Sequence, residues 1–233
     1  MPSVLNWGYL SSHNRSGGVM HNVETVESGQ TFAQALRAFE AAWVDPRHTA
    51  IELPPVDVNK VLADRYAVEP AVHMTRRHLW DMEVRKAWDP LTYIPYVVSE
   101  GKSWASIPLP GNGRRHLRSS IQKAWVSDDR GRVLEEVVTD IDGQRIIFLG
   151  HAELPGPDGT ALHADHHQPL FHVEHAVGGT EDAPTNRWRI LVLTDEPEDR
   201  YREPFDAMVE AGWLPGFIEI YIERDLGAVL RRR

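Results

Sequence analysis

The chain has 233 residues, 42% of them hydrophobic and 25% charged, a composition that can bury a sizeable core and excludes a disordered chain. A formal charge of −9 excludes a general affinity for nucleic acid or anionic membrane, because both are held through clustered Lys and Arg. The absence of cysteine excludes disulfides, zinc ribbons, thiolate catalysis and cysteine-ligated haem or iron–sulfur centres.

Met1–Met20 lacks the basic start and apolar middle of a secretory signal, and no apolar run is long enough to span a bilayer. A cytoplasmic location with no membrane partner is the expectation. Ser11–Gly18, polar and glycine-containing, reads as a loose arm. Thr31–Val44 is the first predicted helix: Phe32, Ala35, Leu36, Phe39 and Trp43 form one apolar stripe behind Thr31 as a cap. Asp45-Pro46 ends it, and Pro54-Pro55 enforces an extended connection to a short helix around Val58–Tyr66. Residues 1–70 therefore read as an arm and helical extension ahead of a main domain at 71–233.

Ala71–Arg77 reads as a strand, followed by two short helices across Leu79–Pro95. Six further strands are predicted at Lys102–Ile107, His116–Ser127, Arg132–Asp140, Gln144–Glu153, Pro169–Gly178 and Arg187–Thr194. Gly111–Gly113 and Asp140–Gly143 supply tight turns, so neighbours pair antiparallel. After Pro197, Tyr201, Phe205, Met208, Val209, Trp213, Phe217, Ile220 and Tyr221 form a helical stripe interrupted at Gly212 and Pro215. Arg231–Arg233 reads as the solvated end of that helix.

A strand, two small helices, a curved antiparallel sheet and a long last helix resemble the helix-grip superfamily of START domains, birch-pollen-allergen-like proteins and polyketide cyclases. Trp80-Asp81 and Trp88–Pro95 carry the likeness locally. It implies an α+β fold, a curved sheet wrapped on a C-terminal helix, with an internal hydrophobic pocket. The chain is also similar to the 2,4-diacetylphloroglucinol hydrolase family at Gly178–Glu181, Asn186–Trp188 and Gly212–Pro215. It departs where that family holds zinc through a His and a Glu on the last helix, since Arg202 and Asp206 stand near those places. That metal site does not carry over.

A repeated His-x-Glu, His151-Ala-Glu153 and His172-Val-Glu174, offers a different site. Residues two apart share a face of a strand, so pairing of the two strands would gather two imidazoles and two carboxylates. Such a set suits zinc or iron(II) with open positions, and a metal-activated water would support hydrolase or lyase chemistry. On the first strand Ile147, Leu149 and His151 share a face, which puts His151 at the edge of an apolar interior. On the second strand the face of Phe171, Val173, His175 and Val177 is the more apolar, so His175 is a second candidate for the cavity. The plainer alternative makes these histidines, with His163, His166 and His167, surface groups of the sheet and its long loop.

Trp88, Trp104, Trp125 and Trp188 suit the wall of a pocket for a flat ligand, and Arg189 would pair a substrate carboxylate or enolate if it faced inward. The preferred reading is an enzyme of secondary metabolism acting on an aromatic or polyketide-like hydrophobic molecule. A non-catalytic carrier or sensor of a lipid-like ligand is its rival, a cupin-like barrel is disfavoured by the terminal helix, and association into a homodimer is left open.

Overall fold

The computed structural model describes residues 31–233, so the expected arm at Ser11–Gly18 and the Met1–Met20 segment lie outside the described residues. Helix α1 (Phe32–Trp43) begins where the Thr31 hydroxyl accepts the Gln34 backbone N–H at 3.3 Å and the Gln34 side chain accepts the Thr31 N–H at 2.7 Å. Next come β1 (Thr49–Glu52), β2 (Val56–Asp57), α2 (Val58–Arg65), β3 (Tyr66–Glu69), α3 (Arg76–Trp88) and α4 (Pro90–Tyr93).

The strand expected at Ala71–Arg77 is not formed. A second capping box, between Thr75 and His78, starts α3 at Arg76, and the residues before it join no strand ladder, Met74 being bonded through its backbone to the Asn59 side chain. Leu79, Met82, Glu83, Lys86 and Ala87 then give α3 a buried stripe at helical spacing. The first strand of the sheet is instead β1, from the segment upstream of Ala71.

The remaining strands are β4 (Val98–Leu109), β5 (Gly113–Lys123), β6 (Arg130–Asp140), β7 (Arg145–His151), β8 (Glu153–Pro155), β9 (Ala161–His163), β10 (Phe171–Gly179) and β11 (Pro184–Val192). They match the six expected strands to within a few residues, except that the loop after β7 forms the small β8–β9 hairpin. After a single 3-10 turn, α5 (Glu203–Ala211) and α6 (Gly216–Arg224) are separated by the break expected at Gly212 and Pro215. Gly212 sits at φ 66°, a left-handed cap that glycine adopts without strain. Strand β12 (Val229–Arg232) pairs with β3, so Arg231 and Arg232 lie on a strand and not at a helix end.

The main sheet runs β1-β11-β10-β7-β6-β5-β4, antiparallel throughout, with β2 also on β11. This is the helix-grip arrangement, α+β with a curved antiparallel sheet closed by the C-terminal helical segment. Its outer face is covered by α1, where Ala35 and Phe39 pack on Val138, Ile147 and Leu149. Its inner face meets α3 and α6: Leu79, Met82, Phe217, Ile218, Tyr221 and Ile222 form a core that reaches Val177 of β10. Among the described residues no helix is long and apolar enough to cross a membrane.

Strand alternation then fixes which side chains reach the interior. His116, Arg118, Ser120 and Gln122 of β5, Glu135 of β6, Ile146 and Phe148 of β7, His175 of β10, and Asn186 and Trp188 of β11 face inward, in agreement with the pairings Arg118–Glu135, His175–Ile146 and His175–Trp188. Gly150 lies where β7 and β10 approach closely: a Cβ there would sit 2.3 Å from the Phe171 carbonyl oxygen. Gly150→Ala should therefore destabilise the protein by about 1–3 kcal/mol, as overpacked sites do, read as a lower urea midpoint with an unchanged slope.

Candidate functional site

A cavity of about 650 Å³ lies between the inner face of the sheet and the α5–α6 segment. Its wall is largely apolar and includes the rings of Trp125, Phe148, Phe171, Trp188, Phe205 and Phe217. Trp188 stacks on Phe217 with ring centroids 5.1 Å apart, and Trp125 meets Phe171 at 4.5 Å. The broken C-terminal helix supplies one side through Phe205, Met208, Trp213 and Phe217.

Set into this apolar wall is a buried ionic cluster. The Lys86 ammonium lies 2.6 Å from Glu83 Oε2 and 2.9 Å from His175 Nδ1, and His175 Nδ1 is 3.2 Å from Glu83 Oε1. Asn186 donates its amide N–H to Glu83 Oε1 at 2.7 Å. Glu83 and Lys86 stand one helical turn apart on α3, whereas His175 and Asn186 come from β10 and β11, so the cluster ties helix to sheet. Lys86 Nζ also lies 3.8 Å from the centre of the Phe217 ring, a cation–π contact.

A second pair lies beside it. Arg118 donates Nε and Nη2 to Glu135 Oε2 at 2.8 and 2.6 Å and Nη1 to the Ala87 carbonyl at 3.2 Å, with its guanidinium over the Phe148 ring. His116 Nε2 lies 3.1 Å from that same carbonyl at the end of α3. Lys86, Arg118, Glu135 and His175 all line the cavity.

Two of the four tryptophans singled out from sequence, Trp125 and Trp188, line this cavity together with His175. Trp88 is 46% exposed at the end of α3, edge-on to His116, and Trp104 packs on Leu117, Leu134 and Leu154, on the far side of the sheet. Arg189 faces outward, bonded to Glu174 at 2.5 Å and to Glu40 at 2.5 Å beneath α1.

The His-x-Glu pairs also lie away from the cavity. The face shared by Ile147, Leu149 and His151 is the one under α1, so the apolar interior next to His151 is the outer core. His151 Nε2 lies 3.5 Å from Glu136, Glu153 pairs with His163 at 3.3 Å, and His172 Nδ1 accepts the Gly150 N–H at 3.1 Å. Glu174 is occupied by Arg145 and Arg189. Among the described residues no group of three or more His, Asp or Glu side chains is gathered as a metal site would require.

Sequence reasoning missed Glu83, Lys86, His116, Arg118, Glu135 and Asn186. One signal was available: Glu83 and Lys86 occupy the same helical stripe as Leu79, Met82 and Ala87, where a surface helix carries apolar residues. The column His116, Arg118, Ser120 and Gln122 was a second, since polar side chains two apart on a central strand must share one face.

The cluster is desolvated enough to shift its titrations. Burial pushes the Lys86 ammonium down to about 8, against the pull of Glu83. Burial alone would raise the Glu83 carboxyl, but its hydrogen-bond contact with His175 and the charge of the Lys86 ammonium outweigh it and hold the carboxyl below its usual range. His175 is itself pushed down by burial.

Burial also lowers His116 and His172 to about 4, from an ordinary value of 6.5. Between those values the unfolded chain binds protons that the native imidazoles refuse, so stability present above pH 6.5 is lost as pH falls towards 4. The expected slope is roughly 1.4 kcal/mol per pH unit for each histidine in that window. Urea unfolding across the window measures it, and His116→Gln should flatten the dependence by about one proton.

No protein-family model and no curated protein matches the chain. Among solved structures it is similar to the Zhui aromatase/cyclase from Streptomyces sp. R1128, at 10% identity, covering 77% of this chain and 94% of that one, with a TM-score of 0.45. It is also similar to Ara h 8.0201, at 12% identity, 75% and 95% coverage and a TM-score of 0.43. A START superfamily protein from Mycobacterium smegmatis matches at 8% identity, 70% and 97% coverage and a TM-score of 0.42. These are likenesses of architecture, and the helix-grip assignment rests on this chain's own strand order and helix placement.

Proposed function

We propose that the protein is an enzyme that encloses one small, flat, largely apolar molecule and moves protons on it with the buried groups of the cavity wall. The observation that carries this reading is the placement of Lys86 and His175 in the wall of a cavity of about 650 Å³, with Glu83 bonded to both behind them and held in turn by Asn186. That volume is in the range of pockets that take drug-sized ligands. A carrier needs only the apolar wall, whereas interior charges are costly to bury and serve acid–base work when they adjoin a ligand.

Hydrolase or lyase chemistry fits such a wall. A carboxylate fixed as the anion, an imidazole held neutral and an ammonium that titrates within reach of neutral pH can accept and return a proton beside a carbonyl. The metal assistance expected from His151, Glu153, His172 and Glu174 has no part in this proposal, because those four lie away from the cavity.

The test uses 2-acetylnaphthalene, a flat apolar ketone. Quenching of tryptophan fluorescence should report its binding, and a Val173→Phe substitution, which narrows the cavity, should weaken binding at least tenfold. In D2O the protein should accelerate exchange of the methyl protons next to the carbonyl, read by mass spectrometry. His175→Asn should lower that rate by about 10²-fold or more. Binding without any accelerated exchange would favour the carrier instead.

A further inference from the structure

We propose that Lys86 is a covalent catalyst: its Nζ adds to the carbonyl carbon of an enclosed aldehyde or ketone and forms an iminium beside Glu83 and His175. This rests on the enclosure reading above and narrows the ligand to a carbonyl compound. The chain contains four lysines, Lys60, Lys86, Lys102 and Lys123, and the other 21 of its 25 Lys and Arg residues are arginine. Lys60, Lys102 and Lys123 are partly or fully exposed, and Lys60 and Lys123 pair with Asp64 and Asp128 at the surface. Lys86 is 4% exposed and stands in the cavity wall.

If the position served only to balance a buried carboxylate, an arginine would do it better. A guanidinium is less strongly hydrated, stays charged and makes forked hydrogen bonds, and Arg118 of β5 meets Glu135 of β6 in that way beside the cluster. An amine differs from a guanidinium in one chemical respect that matters here: it can lose its proton and act as a nucleophile. Desolvation in an apolar pocket is how proteins bring a lysine to that state. Lys86 meets the condition, since it lies under the Phe217 ring and its ammonium has been brought down to about 8.

The surroundings suit each step, and the atoms balance. The neutral amine adds to the carbonyl carbon, forming the C–N bond as the C=O π pair passes to oxygen. The proton lost from nitrogen and the one first taken from the ammonium are returned to that oxygen, which leaves as water as the C=N bond forms. Summed, ketone plus Lys86 ammonium gives iminium plus water, with no oxidant or reductant and no change in charge. The groups facing Nζ are the Glu83 carboxylate and His175 Nδ1, with Arg118 the nearest further cation on β5. Glu83 thus has a cationic partner before and after the step, ammonium first and iminium last, and its hydrogen bond from Asn186 need not change. His175, held neutral, can relay the proton between amine and carbonyl oxygen.

Reductive trapping tests the proposal. The full chain is mixed with 2-naphthaldehyde, binding is followed by tryptophan quenching, and sodium cyanoborohydride is added to reduce any C=N bond. One equivalent of adduct on the intact chain, mapped by peptide sequencing to Lys86, is the expected result. Labelling of that site should saturate at stoichiometric aldehyde, before Lys60, Lys102 or Lys123 react. Because Lys86→Met alone strands a buried carboxylate, the control is the charge-neutral pair Glu83→Gln with Lys86→Met, with folding checked by circular dichroism. That variant should still quench and take no rapid label. Quenching in the wild-type protein without label at Lys86, or equal labelling of the double variant, would overturn the covalent role while leaving enclosure intact. An aldehyde that neither quenches nor labels would overturn the enclosure reading itself.

Discussion

Two buried charges cannot be left alone inside an apolar wall, and the contact between Lys86 and Glu83 is the one on which the interior depends. Each ion has given up most of its hydration, a loss of several kcal/mol that only a well-bonded partner offsets. Here the offset is assembled from three elements: the carboxylate and ammonium from α3, the imidazole of His175 from β10 and the amide of Asn186 from β11. Removing either charge would strand the other and loosen the register of α3 on the sheet. The adjacent Arg118–Glu135 pair works from the other side. Arg118 reaches the Lys86 and Ala87 carbonyls at the C-terminal end of α3, where unpaired carbonyls need donors and a positive charge is favourable. The two pairs sum to zero charge, so these four groups bring polar contacts to the cavity side of the sheet without adding net charge.

The outer face of the same sheet carries similar residues with a different outcome. Glu174 lies between Arg145 and Arg189, Arg189 continues to Glu40 of α1, and the Arg189 guanidinium covers the Phe39 and Trp43 rings. Glu174, Arg145, Arg189 and Glu40 each have a partner, and the space is filled by α1, so these groups fasten a helix to a sheet. The inner cluster differs by facing empty volume. Whether a charged side chain of this sheet faces the cavity is thus decided by which side of a strand it takes and by what covers that side.

This difference explains how much could be read in the sequence. Alternation, turn glycines and helical stripes are local properties, and strands β4 to β7, β10 and β11, α1, α2 and the break at Gly212 followed from them, whereas the β8–β9 hairpin did not. The strand expected at Ala71–Arg77 failed where another local signal, the Thr75–His78 capping box, overrode it. Strand β12 was hidden because its partner β3 lies about 160 residues earlier, and neither has a pattern of its own. For the site, His151 and His172 announced themselves by spacing, but spacing fixes only that two residues share a face. The choice between α1 and the cavity depended on where α1 docks, a long-range fact. Glu83, Lys86, His175 and Asn186 are spread over more than 100 positions and meet only through the β10–β11 pairing and the docking of α3.

The two halves of the broken C-terminal helix are held to different degrees. Helix α6 buries Phe217, Ile218, Tyr221 and Ile222 against α3 and the core, and its Tyr221 hydroxyl donates to Asp81 of α3 at 2.9 Å. Helix α5 contains no fully buried residue, although Phe205 and Met208 line the cavity. Opening is least costly where the fewest apolar contacts are lost, which puts the looser side of the enclosure over α5 and the firmer side over α6. Gly212, in a left-handed conformation between them, lets the chain change direction without continuing one rigid rod. Phe217 belongs to the buried half, α6, so the ring over Lys86 is held by a different part of the broken helix from the α5 residues that line the cavity.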